Sequence, residues 1–250
     1  MYLILFPFVL NPVPGSARHS TPLHSFLRLM SKRIYTSPLR AASSAATRER
    51  ILEAAQHCFE QQGYAGTTMR AIAKQAGASL ESVNLAGTKR DLLMAALSRA
   101  TAQGETDARL LDLPEPKALF DNPDPATALA NLMTWVAASN QRISRLWRSF
   151  DQAADTDTGI RAEYTDFLAR MRAEGTRAVK ALGLRGALRT DAPQSELADL
   201  LWLTVLPDQH HRLCGQAGWS QESYRQWLIW SATHSLLARQ FVVRNQADDA

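Results

Sequence analysis

The chain lacks the features that several classes of protein require. Its 250 residues include only two cysteines, Cys58 and Cys214, which excludes a disulfide scaffold and a four-cysteine zinc site. Twelve glycines and eleven prolines are too few for a collagen-like or proline-rich chain. No apolar run approaches the roughly 20 residues of a membrane-spanning helix. No nucleophile elbow, glycine-rich phosphate loop or paired metal motif is present, so we expect neither an enzyme nor a cofactor.

The composition that remains is that of a globular chain with an uneven distribution of charge. Hydrophobic residues make up 46% and charged residues 21%, which is enough apolar material to bury a sizeable core. Residues 1–46 carry five basic and no acidic side chains, whereas residues 101–250 carry sixteen basic and nineteen acidic ones. A basic end suits contact with a polyanion, although a basic tail without a partner has the same composition.

Residues 1–46 are predicted to be a disordered leader. Residues 2–10 are apolar but only half as long as a spanning helix, and no positively charged segment precedes them as in a secretory signal. Met30 offers a second start for an ordinary cytoplasmic protein. Residues 37–47 are rich in Ser and Ala and predict a flexible arm. Three basic side chains of the leader are candidates for phosphate or minor-groove contacts: Lys32, Arg33 and Arg40.

From Thr47 the sequence predicts three short helices. Apolar residues recur at helical intervals through the first, with Thr47 as its N-cap and Gly63 just beyond its end. A second helix follows Thr68 and ends at Gly77, and Ser79 caps the third. These features predict a domain over residues 47–96.

The spacing of Ala73, Gly77 and Val83 is typical of a helix-turn-helix. A small residue at Ala73 lets two helices cross closely, and Gly77 supplies a positive φ without a Cβ penalty. Val83 would fill the angle between the helices. The same spacing also occurs by chance in generic three-helix packing.

With these residues in place, the segment resembles the N-terminal DNA-binding domain of the tetracycline-repressor (TetR) family. From Thr47 it reads TRERILEAAQHCFEQQGYAGTTMRAIAKQAGAS and, after a short interval, GTKRDLLMAAL. The resemblance implies an all-α homodimer whose C-terminal domain binds a small molecule of unknown identity that controls affinity for a double-stranded DNA operator. We therefore expect a cytoplasmic transcriptional repressor that binds a palindromic operator as a dimer.

The segment departs from the family at the end of its third helix. Members usually carry an aromatic residue at the position of Asn84 and another just before the position of Gly87, and this chain has neither. The alternative hypothesis is therefore a small-molecule-binding protein whose helix-turn-helix no longer reads DNA.

The predicted DNA contacts fall into two groups. The third helix would direct side chains to base edges, where Asn84 pairs with adenine and Glu81 with cytosine. Alternatively, Glu81 contacts no base and only stabilises the N-terminus of the helix through its negative charge. The base-reading group is Leu80, Glu81, Ser82 and Asn84, beside the cap Ser79. The phosphate-binding group is Thr47, Arg48, Thr67, Thr68, Arg70 and Lys89.

Residues 97–244 are predicted to form a helical domain for ligand binding and dimerisation. We expect a loop over 112–125, one helix or two over 126–154 with any break near Asn140, and helices over 159–182, 195–213 and 220–242.

Aromatic and apolar side chains in these helices are assigned to two sites. The predicted ligand pocket is Trp135, Trp147, Phe150, Tyr164, Phe167 and Met171, although each suits a core equally well. The last two helices are apolar on more than one face, which predicts a dimer interface or an internal helix. The residues predicted to form the dimer interface are Leu197, Leu200, Leu201, Val205, Trp227, Leu228, Trp230 and Leu237. A metal site is suggested by three neighbouring side chains that can bind metals, His210, His211 and Cys214. No second cluster of ligands completes it, so we predict no metal site.

Overall fold

The computed structural model describes the backbone of residues 38–102 and 110–242, and the side chains of residues 43–100 and 110–242. Expectations for residues 1–37, including the start at Met30 and the basic residues Lys32 and Arg33, lie outside the described residues. Within the described ranges the regular elements are helical, which confirms the all-α prediction. A single isolated β-bridge joins Leu188 to Leu237 there.

Four α-helices are described within residues 38–102. They are α1 (Pro38–Gly66), α2 (Met69–Ala76), α3 (Leu80–Ala86) and α4 (Lys89–Ala102). Gly63 interrupts α1 with a φ of 69°, in the left-handed region that glycine adopts most readily. The end of the first helix, which was predicted just before Gly63, therefore appears as a kink inside α1.

The first helix begins at Pro38, so the predicted N-cap at Thr47 is wrong, and so is the flexible arm predicted over 37–47 from residue 38 onward. The Thr47 hydroxyl donates to the carbonyl of Ser43, one turn earlier within the helix, at 2.9 Å. Proline suits the first position of a helix because its missing N–H would have no helical partner there. The alanines that follow are the strongest helix formers, and their propensity outweighs that of the intervening serines.

Six further α-helices are described within residues 110–242. They are α5 (Pro114–Phe120), α6 (Pro125–Ala154), α7 (Thr158–Leu184), α8 (Gln194–Val205), α9 (Pro207–His210) and α10 (Gln221–Leu236). The long α6 is unbroken at Asn140. Asp124 and Asp157 cap α6 and α7 by accepting backbone N–H groups in the first turns.

Two C-terminal boundaries differ from the sequence prediction. The predicted loop over 112–125 contains α5, which begins with Pro114 in its first turn. The predicted helix over 195–213 stops at Val205, because Pro207 forces Leu206 into an extended conformation with ψ of 138°. A π-helical turn, His211–Gln216, follows α9.

The final predicted helix, 220–242, begins correctly after the cap Ser220 but ends at Leu236. Leu237 is extended and pairs with Leu188. The Arg189 N–H donates to Leu236 O and the Ala238 N–H to Ala187 O, both at 2.9 Å. These bonds to a distant loop replace the helical bonds that a continuation of α10 would make.

The buried apolar residues form two clusters, and α6 and α7 contribute side chains to both. One cluster combines α5, α8 and α10 with the first half of α6 and the second half of α7. The other contains the buried apolar residues of α1 to α4, together with side chains from beyond residue 97, including Leu146, Trp147 and Phe150 of α6 and Ile160 of α7. The N-terminal helices therefore share their core with the domain that follows.

Candidate DNA-binding surface and ligand cavity

The turn between α2 and α3 has the geometry that its sequence predicts. Thr68 caps α2 by accepting the Ala71 N–H at 3.1 Å, and Gly77 ends it in the left-handed conformation with φ of 58°. Ser79 then caps α3 by accepting the Ser82 N–H at 3.0 Å. The two caps orient successive helices across a short turn.

The interior of this helix pair is filled as the spacing requires. Val83 is 0% exposed and lies in the same buried cluster as Ile72, Ala73 and Ala76 of α2. Because Val83 faces inward, the residues on either side of it on α3 face outward.

The outward side chains of α3 are those assigned to base contacts. Leu80, Glu81, Asn84 and Leu85 are exposed, and Ser82 is half-buried. Leu85, which is not in the predicted base-reading group, is 81% exposed and therefore lies outside the core, where its methyl groups could contact a thymine methyl group. The Ser79 and Ser82 hydroxyls lie 2.9 Å apart and form a hydrogen bond with each other.

Thr67 does not join the predicted phosphate-binding group. Its side chain is 1% exposed, and its hydroxyl donates to the carbonyl of Gly63 at 2.8 Å. The backbone N–H of Thr67 donates to the same carbonyl at 3.2 Å, so both donors of Thr67 are used within the fold. Thr68 and Arg70 remain exposed at the start of α2.

Arg48 has a structural partner that sequence reasoning missed. Its guanidinium donates to the carbonyl of Ala86, at the C-terminal end of α3, at 3.0 Å. The last carbonyls of a helix have no partner within it, so an arginine from α1 satisfies one of them. A contact between residues 38 positions apart leaves no local signal in the sequence.

The start of α4 is held beside the same surface. Thr88 and Asp91 form a reciprocal cap, in which the Thr88 N–H donates to Asp91 Oδ2 at 2.9 Å and the Asp91 N–H to Thr88 Oγ1 at 3.2 Å. The Thr88 N–H, together with the Thr88 hydroxyl that donates to the same Oδ2 at 2.8 Å, lowers the pKa of Asp91. The ammonium of Lys89 lies 4.3 Å from the centre of the Tyr64 ring, and burial lowers the pKa of Lys89. Lys89 therefore packs on an aromatic face next to the surface.

A cavity of about 490 Å³ lies in the C-terminal part of the fold. Helices α4, α6, α7 and α8 contribute to its walls, which are mostly apolar. Four of the six predicted pocket residues line it: Trp135, Phe150, Phe167 and Met171.

Trp147 and Tyr164 do not line this cavity, so their assignment to the pocket is wrong. Trp147 is 1% exposed and packs against Phe150, Tyr164 and Phe167, with ring centres 5.1 to 5.7 Å apart. Its indole N–H donates to Asp208 at 2.8 Å. These rings pack in the cluster that contains the N-terminal helices, with Tyr164 and Phe167 half-buried, and Phe150 and Phe167 also line the cavity.

The predicted dimer interface divides into buried and exposed residues. Leu197, Leu201, Leu228 and Leu237 are buried in the core of the single chain, so their assignment to an interface is wrong. Leu200 and Trp230 are exposed, and Val205 and Trp227 are half-buried. Leu203, which was not assigned, is also exposed. We call Leu200, Leu203 and Trp230 the α8–α10 apolar patch.

Two further structural tests concern metals and membranes. In residues 38–102 and 110–242, no group of three or more His, Cys, Asp or Glu side chains is placed to hold a metal ion. Within the same ranges, none of the helices combines the length and the apolar character that crossing a bilayer demands.

The described fold and surface define a class: an all-α chain with an N-terminal helix-turn-helix and a C-terminal helical domain that contains a cavity. Residues 51–96 match the family described as bacterial regulatory proteins, tetR family. This match confirms the resemblance to the TetR family for the N-terminal domain. A comparison with curated proteins finds no match.

Solved structures extend the likeness in fold to most of the chain. A Mesorhizobium loti protein described as a TetR-family transcriptional regulator is 24% identical, with 77% of this chain and 96% of that chain covered and a TM-score of 0.59. The complex of SmeT with triclosan is 21% identical, covering 78% and 94% with a TM-score of 0.60, and SmeT is the repressor of the Stenotrophomonas maltophilia efflux pump SmeDEF. NalD of Pseudomonas aeruginosa, the secondary repressor of the MexAB-OprM efflux pump, is 18% identical, covering 78% and 99% with a TM-score of 0.58.

Proposed function

We propose that this chain is a dimeric, non-catalytic transcriptional regulator, a repressor that binds a palindromic DNA operator and is released by a small molecule. The observation that carries the proposal is the orientation of α3, which buries Val83 and exposes Glu81 and Asn84 at the end of a helix-turn-helix. The repressor role is supported by SmeT and NalD, whose folds this chain shares. Such a regulator works in the cytoplasm, where its operator lies.

Base recognition is assigned to the exposed side chains of α3. Asn84 offers the amide geometry that pairs with adenine, and Ser82 offers a hydroxyl that suits several bases. Thr68, Arg70 and Lys89 border this surface and are assigned to phosphates, with Arg48 holding the end of α3 in place.

The α8–α10 apolar patch is assigned to the dimer interface. Leu203 on α8 and Trp230 on α10 are 47% and 58% exposed, and the two helices pack against each other. Large exposed apolar side chains on neighbouring helices are typical of an interaction surface. Two copies are required because one short recognition helix contacts too few bases for a specific site, and paired half-sites lie about one DNA turn apart.

The primary test is a gel-shift titration with a DNA fragment from upstream of the chain's own gene and an unrelated fragment as competitor. Asn84→Ala should weaken specific binding by about tenfold or more and relax specificity, because one base contact contributes roughly 1–3 kcal/mol. Arg70→Gln should weaken binding to both fragments alike and reduce the salt dependence by about one counterion. Equal affinity of the wild-type chain for both fragments would refute operator recognition and favour a helix-turn-helix that no longer reads DNA.

A separate test addresses the dimer. Trp230→Glu should convert the dimer to a monomer in sedimentation equilibrium, because a carboxylate would be buried in the interface. Leu184→Glu, at a leucine that ends α7 and is 83% exposed against 58% for Trp230, is the control and should leave the dimer intact. A monomeric wild-type chain at micromolar concentration would contradict the proposed assembly.

A further inference from the structure

The polar atoms that face the cavity are few, and they restrict what it can bind. Among its described lining residues only Arg170 and Glu174 carry a charge. Most of the remaining wall is aliphatic, aromatic or methionine side chain, so a ligand must be largely apolar. Which polar groups it carries then depends on the atoms that the protein leaves unpaired.

Asn140 is the most deeply buried polar side chain of the wall, at 3% exposed. Its Nδ2 donates to the carbonyl of Val205 at 3.0 Å and to the hydroxyl of Tyr224 at 2.9 Å. A carbonyl can only accept, so Val205 determines which end of the amide points toward it. Burial raises the pKa of Tyr224 to about 12, so its hydroxyl stays neutral at physiological pH.

The other end of the amide, Oδ1, is the unpaired atom. No described residue donates a hydrogen bond to it. In the described part of the chain, the unpartnered side-chain atoms that are fully enclosed are Trp202 Nε1 and His210 Nδ1, and Asn140 Oδ1 is not among them. Oδ1 therefore retains accessible surface, and the space that Asn140 borders is the cavity.

The two charged wall residues are less suited to anchoring a ligand. Glu174 already accepts from the Arg177 guanidinium at 3.0 Å and from the Leu111 N–H at 3.2 Å, so a cationic ligand would compete with an existing ion pair. Arg170 makes no ion pair within the described ranges, but it is exposed, and water weakens an ionic contact there. An acceptor in an apolar enclosure contributes more to specificity than a cation in solvent.

We infer that the cavity binds a neutral, largely apolar molecule with one hydrogen-bond donor, a hydroxyl or an N–H, which donates to Asn140 Oδ1. This inference rests on the proposed function in taking the cavity as the effector site. The donor completes the hydrogen bonding of a buried amide, and the apolar body of the ligand displaces water from the aromatic and aliphatic walls.

The test uses four probes that share a biphenyl body and differ in one group: 4-phenylphenol, 4-methoxybiphenyl, biphenyl-4-carboxylate and 4-phenylbenzylammonium. Their dissociation constants are measured on the purified full chain by calorimetry, without DNA. The phenol should bind about fivefold tighter than its methyl ether, because only the phenol can donate to Oδ1. It should also bind tighter than either charged probe.

Each other ranking overturns the inference. Equal binding of the phenol and the ether would show that Oδ1 is not used. Tightest binding of the carboxylate would assign recognition to Arg170, and tightest binding of the ammonium would assign it to Glu174. Failure of the phenol to bind up to its solubility limit would also overturn the proposed ligand class.

Two variants locate the effect. Asn140→Leu should bind both neutral probes but lose the preference for the phenol. Tyr224→Phe removes a partner of Nδ2 while Val205 still orients the amide, so the preference should persist. Loss of the preference in Tyr224→Phe would contradict a direct bond to Oδ1. If Asn140→Leu fails to fold, the four probes on the wild-type chain still decide.

Operator release is measured separately, by adding the phenol to the gel shift. A phenol that binds as expected but leaves DNA binding unchanged would refute the effector role while leaving the ligand chemistry intact. A chain that binds the phenol but no operator would refute only the proposed function.

Discussion

The DNA-binding surface and the cavity differ in how strongly their functional side chains are coupled to the fold. On α3, the side chains of Glu81 and Asn84 are exposed. In the cavity, Asn140 joins α6 to Val205 at the end of α8 and to Tyr224 of α10. Substitutions on the first surface should therefore change binding with little effect on stability, whereas substitutions in the cavity change both.

The largest expected effect separates the two sides of α3. Val83→Ala should lower the free energy of unfolding by about 2 kcal/mol, because it removes buried methyl groups and leaves a cavity. Leu85→Ala, two residues away and 81% exposed, should stay within about 0.5 kcal/mol of wild type. Urea denaturation measures both, and similar losses for the two variants would contradict the orientation of the recognition helix.

A smaller effect is expected at the turn. Gly77→Ala should cost about 1 kcal/mol, since a side chain is strained at a φ of 58° even though no atom lies within 4 Å of the added Cβ. Gly66→Ala is the control, because its Cβ would meet only Gln62 Cβ at 3.4 Å. Thermal melting compares the two variants, and an unchanged melting temperature for Gly77→Ala would show that the turn tolerates a different conformation.

The link between the two regions is tested at Ser149, whose hydroxyl on α6 donates to Phe59 O on α1 at 2.6 Å. Ser149→Ala should destabilise the chain by about 1 kcal/mol, because the bond is buried. Thr176→Ala removes an exposed hydroxyl that bonds only within its own helix, and should change stability by less. Because the N-terminal helices share a core with α6, unfolding should be a single transition. A separate early unfolding transition for the N-terminal helices would contradict a core shared with α6.

The smallest expected effect is a pH dependence at Glu222. Arg225 and Gln226 lower the pKa of Glu222 to about 2, and the pair is exposed. A carboxylate with a depressed folded-state pKa contributes stability above its unfolded pKa and loses it as the pH falls toward the folded value. The small stability difference between wild type and Glu222→Gln should therefore shrink between about pH 5 and pH 2. A difference that grows on acidification would contradict the ion pair.

Local features of the fold were predictable because their causes are adjacent in sequence. Ser79 caps α3 and Gly77 ends α2 through bonds to residues within a few positions. The break before Pro207 is equally local, and the proline at that position was the available signal. The early start at Pro38 was missed because the alanine-rich stretch also contains serines, which suit caps and turns as well as helices.

Residue roles that depend on distant partners were not predictable in this way. In the sequence Thr67 resembles an anion-binding residue, but in the folded chain its hydroxyl donates a hydrogen bond to the carbonyl of Gly63. The apolar pattern of α8 and α10 indicates that more than one face is buried, but it does not distinguish Leu197, which the chain covers itself, from Leu200, which it leaves exposed. Asn140 stands beside Ser139, Gln141 and Arg142, so the sequence fits a helix break there as well as a continuous helix with a buried amide.

By itself, the sequence determined the helical class, the caps and turn of the helix-turn-helix and the outward face of α3, because periodicity and capping act within a few residues. Only the tertiary structure decided which arginine holds the end of α3, which aromatic rings border the cavity and which leucines stay exposed. Those outcomes depend on contacts between helices far apart in the chain, and the same apolar side chain can satisfy burial against any of several neighbours.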